Sequence, residues 1–144
     1  MEIRVQRLDA ELPLPTAQHD HDAGYDLCAR EDVRIPAAGG RVLVPTGLAV
    51  AIPSGYAGLV LPRSGLAMKH GVTLLNTPGL IDAQYRGEVK ILLVNTDPAE
   101  DYDVRRGDRI AQLVIQKVEY VDFELVDDLD ETTRDTFGFG SSGR

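Results

Sequence analysis

Cysteine is nearly absent. Cys28 is the single one in 144 residues, so no internal disulfide can form and a reducing compartment suits the chain. A lone thiol of this kind reads as a small buried hydrophobe, and no chemical role is assigned to it. Long apolar runs are missing too. None approaches the roughly eighteen residues of a membrane-spanning helix, and Met1-Glu2-Ile3-Arg4-Val5 reads as strand rather than as the apolar stretch of an export signal. A cytoplasmic protein without a membrane partner is expected. Positive charge is scarce: 15 Lys and Arg face 23 Asp and Glu, a formal charge of −8. Such a balance excludes a broad nucleic-acid surface, which rests on clustered cations meeting phosphates. It permits a small anionic ligand wherever arginines gather locally, and Arg63, Arg86, Arg105, Arg106, Arg109 and Arg134 all stand beside glycines or within short motifs.

The apolar fraction of 43% and the charged fraction of 26% are those of a globular protein. A chain of this length forms one domain and buries roughly 68–70% of the surface its unfolded form exposes. Short β-rich runs recur at 3–8, 41–45, 47–52, 56–61, 88–95, 109–118 and 120–126. Turn signals separate them at Pro36-Ala37-Ala38-Gly39-Gly40, Pro53-Ser54-Gly55 and Thr77-Pro78-Gly79. The reading is mostly antiparallel β, spaced like a sandwich or barrel and without internal repeats. One short helix is expected, with Ser64 as N-cap, 66–70 as body and Gly71 as the left-handed residue that ends it.

Chemistry concentrates in two segments. Pro62-Arg63-Ser64-Gly65-Leu66-Ala67 and Gly79-Leu80-Ile81-Asp82-Ala83-Gln84-Tyr85-Arg86-Gly87 place charge, hydroxyl and bare backbone among apolar strands, where glycines let a ligand approach closely. The helix start beside Arg63 and Ser64 offers free amides to an anion. Asp82 follows Gly79, Leu80 and Ile81, which could bury it beside a strand. There it is either a proton acceptor for an attacking water or a turn-capping carboxylate.

Asp26, within Ala23-Gly24-Tyr25-Asp26-Leu27, could orient a metal-bound water. His19-Asp20-His21-Asp22 offers only two ligands per strand face and reads as a solvated loop. Arg106-Gly107-Asp108 spells an adhesion tripeptide, but its glycine reads as a hairpin turn. Gln112, polar within Arg109-Ile110-Ala111-Gln112-Leu113-Val114, either faces solvent or offers its amide to a ligand. The stretch from 127 onward cannot pack alone. It reads as a mobile terminus, or as a lid that uses Arg134, Phe137, Phe139 and the Gly/Ser run once ligand arrives.

In order, Ala23 to Leu27, Pro62 to Ala67, Gly79 to Gly87, Arg109 to Val114 and Gly138-Phe139-Gly140-Ser141-Ser142-Gly143 resemble the five motifs of the trimeric dUTPases, over nearly the whole chain. The resemblance implies an all-β fold, a distorted jelly-roll barrel or sandwich with one short helix. It implies a catalytic domain over 1–126 and an arm over 127–144 exchanged within a homotrimer to close a neighbour's site.

The implied reaction is hydrolysis of dUTP to dUMP and pyrophosphate, which limits uracil in DNA and supplies dUMP for thymidylate synthesis. By motif match Asp82 activates the water that attacks the α-phosphorus, and Asp26 holds Mg²⁺ through coordinated water. Arg63, Ser64, Gly65 and Gln112 contact the phosphates. Asn76 and the backbone around Lys90 read the uracil edge, Leu80 and Ile81 line the pocket, and Tyr85 packs under the deoxyribose. Arg134, Phe139, Gly140, Ser141 and Ser142 supply the lid.

Two positions depart from the family pattern. Gln84 stands where relatives often carry a smaller or acidic residue, and Asp135 where glycine is common. The alternatives are a dCTP deaminase-like enzyme of the same fold, whose motif carries a glutamate in place of Ala83-Gln84-Tyr85-Arg86, and a non-catalytic nucleotide sensor. Ammonia release from dCTP or the absence of any turnover distinguishes them.

Overall fold

In β8 (Glu88–Asn95) Val89, Ile91 and Leu93 are buried while Lys90 is exposed, the alternation of a strand with one face on a core. The same logic builds the other elements of this computed structural model, which describes residues 1–132. They are β1 (Arg4–Arg7), β2 (Tyr25–Cys28), β3 (Val33–Ile35), β4 (Arg41–Ala51), β5 (Tyr56–Leu61), α1 (Ser64–His70), β6 (Val72–Leu74), β7 (Gly79–Ile81), β9 (Tyr102–Val104) and β10 (Arg109–Lys117). Arg134, Phe139, Gly140, Ser141 and Ser142, expected in a lid, lie outside the described residues.

Two four-stranded sheets, ordered β1-β4-β8-β6 and β2-β10-β5-β7, and the small β3-β9 pair are antiparallel in every pairing. One core cluster draws Val44, Ile91 and Leu93 from the first large sheet and Leu27, Val60 and Ile110 from the second. The architecture is therefore an all-β sandwich of jelly-roll type with one short helix. Among the described residues no helix is long and apolar enough to cross a membrane. Cys28 is buried and unpaired, and burial first, then the charge of Asp26, pushes its thiol pKa up.

Four local outcomes differ from the sequence reading. The runs at 41–45 and 47–52 are one strand, β4, whose pairing with β8 shifts register between Pro45 and Ala49. Gly47 sits in that bulge at φ +71°, where glycine alone is unstrained. The helix cap is Arg63, not Ser64, and it makes no side-chain capping bond, although Gly71 closes the helix at φ +62° as expected.

Residues 120–126 form no strand: their β-type alternation leaves Phe123 and Leu125 almost fully exposed, without a partner strand among the described residues. Gly107, at φ +87°, makes a tight turn in which Asp108 N donates to Arg105 O at 2.9 Å. That turn is not a hairpin, because β9 pairs with β3 while β10 pairs with β2 and β5.

Asn95, fully buried, ties the β8 end to its surroundings. Its Nδ2 donates to Ile35 O at 3.2 Å and Glu100 O at 2.8 Å, and its Oδ1 accepts from Asp97 N at 2.9 Å. Asn95→Ala strands the buried Ile35 carbonyl at about 1–3 kcal/mol, loses two part-buried bonds and leaves a cavity. The expected result is a loss of several kcal/mol, read as a lower urea midpoint at unchanged slope.

Candidate active site

Strand β10 lies between β2 and β5, and Gln112 is opposite both Asp26 and Leu61. This register gathers Asp26, Gln112 and the Pro62-Arg63 corner on one edge of the second sheet. Gln112 Nε2 donates to Pro62 O at 3.0 Å, so its amide is used to hold that corner. Gly24 packs against the same side chain so closely that a β-carbon there would overlap Gln112 Oε1.

Asp26 is mostly buried and held between two cations. Arg109 Nη1 donates to its Oδ2 at 3.1 Å, Arg63 Nε lies 3.6 Å from its Oδ1, and Arg63 Nη1 donates to Arg109 O at 2.7 Å. The ring closes through the Arg109 backbone carbonyl. Ser64 and Gly65 follow at the start of α1, both exposed, with open space around Gly65. The result is a cationic corner with bare backbone, able to receive phosphate oxygens. Sequence reasoning did not assign Arg109 a role at the site; its signal was the position three residues before Gln112 in the same motif.

A second recess, a cleft of about 290 Å³, is lined by Asn76, Leu80, Ile81, Asp82, Tyr85 and Lys90 among others. It opens between β7 of one sheet and β8 of the other. Gly79 and Ile81 are buried while Leu80 is exposed, which turns Leu80 toward solvent. Asp82 is exposed rather than buried beside the strand. Its backbone carbonyl accepts Tyr85 N at 3.0 Å, but its carboxylate makes no hydrogen bond or ion pair among the described residues and is open to a water. This corrects the expectation of a burying segment. The corner of Asp26, Arg63 and Arg109 and the Asp82 cleft have no lining residue in common.

Other clusters the sequence singled out serve the scaffold. Arg106 donates to Asp9 Oδ2 and Oδ1 at 2.6 and 3.0 Å, to Glu11 Oε2 at 3.1 Å and to Arg30 O at 2.7 Å. Its hydrogen bonds hold the Asp9 carboxyl down at about 2. The adhesion-like tripeptide is thus a staple between the N-terminal segment and the β9–β10 turn. Among the described residues no three His, Cys, Asp or Glu side chains gather to hold a metal, and His19-Asp20-His21-Asp22 is an exposed loop.

A two-sheet jelly roll with an arginine-lined corner and a polar cleft bearing an unpaired carboxylate suits a small-anion-binding class of protein. The comparisons narrow the class. The family model described as dUTPase matches residues 10–143. The deoxyuridine 5'-triphosphate nucleotidohydrolase of Rhodococcus erythropolis is 56% identical over 99% of this chain and 87% of its own length. That of Nocardia farcinica is 57% identical over 98% and 85%. Among solved structures, the dUTPase of Staphylococcus bacteriophage 80alpha with dUPNHPP is 29% identical at a TM-score of 0.88, covering 99% of each chain.

The chain belongs to the dUTPase family. Membership makes it an enzyme that hydrolyses dUTP to dUMP and implies a divalent metal cofactor. The residues present fit such an ion held mainly by substrate. A single carboxylate flanked by two guanidiniums suits outer-sphere contact with a hydrated cation on phosphates better than direct caging.

Proposed function

We propose that the two surfaces are halves of one active site completed between copies of the chain in a homotrimer. Domain 1–126 carries both halves and the arm 127–144 closes over a neighbour's nucleotide. The reading is carried by one observation: Asp82 lines a cleft with Asn76, Tyr85 and Lys90, while Arg63 and Asp26 pair elsewhere. A nucleotide spanning base, sugar and triphosphate needs both surfaces at once.

In this reading Asn76 and the Lys90 backbone take the uracil edge, with Leu80 and Ile81 framing the ring. Tyr85 lies under the deoxyribose. Asp82 accepts the proton of a water directed at the α-phosphorus, so that pyrophosphate leaves. Arg63, Ser64, Gly65 and Gln112 hold phosphate oxygens, and Arg63 arrives already oriented by Asp26. Mg²⁺, when bound, neutralises phosphate charge, and Asp26 holds it through coordinated water. Preorganised charge on the phosphoryl oxygens is the main requirement of this chemistry. Arg134, Phe139, Gly140, Ser141 and Ser142 form the lid, with Phe139 stacked on the base. The enzyme acts in the cytoplasm, limiting uracil in DNA and supplying dUMP for thymidylate synthesis.

Incubation with dUTP and Mg²⁺, with dCTP and UTP in parallel, tests it. Pyrophosphate from dUTP alone is the expected result, and ammonia from dCTP refutes the assignment. Tyr85→Ala is expected to relax sugar discrimination by roughly ten- to a hundredfold, the range that a pocket's steric fit supplies. The check is the ratio of kcat/KM for dUTP to that for UTP, and an unaltered ratio removes Tyr85 from this role.

A further inference from the structure

Discrimination by a side chain against one added hydroxyl requires that side chain to stay in place. Tyr85 is about half exposed on the wall of the cleft, so solvent alone would leave its ring free to swing. Two contacts oppose that. The phenol Oη donates to Glu88 O at 3.0 Å. The ring also lies directly over Gly87, where a β-carbon would overlap Oη and come within 2.6 Å of Cζ and 3.0 Å of Cε2.

Position 87 is outside the left-handed region occupied by Gly39, Gly47, Gly55, Gly71 and Gly107. An L-residue could therefore adopt its backbone, and the three atoms nearest an added β-carbon all belong to the Tyr85 ring and hydroxyl. The carbonyl that anchors the phenol belongs to a residue that is itself fixed. Glu88 Oε1 accepts Gly47 N at 2.8 Å from the β4 bulge and Arg30 Nη1 at 3.4 Å, and Arg30 reaches on to Asp9 at 3.5 Å.

We infer that Gly87 and the Glu88 carbonyl are positioning elements that hold the Tyr85 ring in a single orientation and thereby set the enzyme's preference for deoxyribose over ribose. The inference rests on the assignment of Tyr85 to the sugar. Glycine at 87 leaves the space the ring fills, and the Glu88 carbonyl fixes the ring's far end. With alanine at 87 the backbone can stay and the ring cannot. It rotates away, the Oη bond to Glu88 breaks, and the space beneath the sugar opens to a 2′-hydroxyl.

The experiment compares wild type, Gly87→Ala, Tyr85→Ala and the double variant by the ratio of kcat/KM for dUTP to that for UTP. Gly87→Ala is expected to lower the ratio roughly tenfold or more, mainly through a gain on UTP. General destabilisation depresses both substrates together and leaves the ratio alone. In the Tyr85→Ala background Gly87→Ala is expected to change nothing further, the non-additivity of two residues acting through one contact.

An intact ratio in folded Gly87→Ala overturns the inference. So does an equal second drop in the Tyr85→Ala background, which would give the glycine another route of action. A Tyr85→Ala ratio equal to wild type refutes the sugar assignment itself and the inference with it. Should Gly87→Ala not fold, Tyr85→Phe decides, because it removes only the hydroxyl bound to Glu88 O: a lowered ratio supports the inference and an unchanged one overturns it.

Discussion

Asp82→Asn is expected to cut turnover by roughly 10²–10⁴-fold, the contribution of a positioned general base, while dUTP binding stays close to wild type. The substitution is nearly isosteric. The fold contact at this position is the backbone carbonyl of Asp82, which accepts Tyr85 N, and asparagine keeps it. The exposed carboxylate, which pairs with nothing among the described residues, is what changes: the amide cannot take a proton from water at neutral pH. Pyrophosphate release gives kcat, and calorimetric titration with a non-hydrolysable dUTP analogue gives Kd. Undiminished turnover removes Asp82 from the mechanism, and a matching loss of binding reassigns it to holding substrate.

Ending the chain after Thr133 is expected to lower turnover roughly a hundredfold or more, the scale on which loss of substrate positioning acts, while the protein stays folded. The described core explains the second half of that statement. Its buried members run no further along the chain than Leu113, with Ile115 packed at its edge, so the truncated chain keeps every described core residue. The missing residues include Arg134, Phe139 and the Gly/Ser run, which suit a closing lid. Turnover, thermal midpoint and sedimentation are measured side by side. An unchanged turnover number refutes the lid, and a collapsed midpoint shows that the segment serves the fold instead.

Most strands legible in the sequence were long enough to alternate, and the four-residue β1 was legible because it lies inside an alternating run, 3–8. β5 and β8 occur with the bounds expected, and β1 and β10 within one or two residues at each end. The other strands of three or four residues, β2, β3, β6, β7 and β9, carried no periodic signal; what makes Tyr25–Cys28 a strand is its place beside β10, which pairing supplies and propensity does not. Residues 120–126 show the reverse. Val121, Phe123 and Leu125 have the right period, but a β pattern needs a neighbouring strand, and none among the described residues takes it.

Site residues were legible by type more than by environment. Arg63, Asp26 and Gln112 do converge, through the central position of β10 in its sheet. Their roles in the free protein were not readable, because the Gln112 amide holds the Pro62 carbonyl and the second arginine on Asp26, Arg109, is supplied by strand register. Asp82 follows a segment that could have buried it and lies open in a cleft, since burial at the end of β7 depends on which face of that three-residue strand meets the core.

The lone sulfur of Cys28 sits two positions after Asp26 on the strand that β10 covers, shielded from solvent and with its ionisation suppressed. Cys28 keeps about 9% of its exposure, so an alkylating reagent captures it faster whenever the β2–β10 seam parts, and the capture rate tracks those excursions. Because the same short strand carries the carboxylate that grips both arginines, the chain contains its own clock for how firmly the arginine corner is latched.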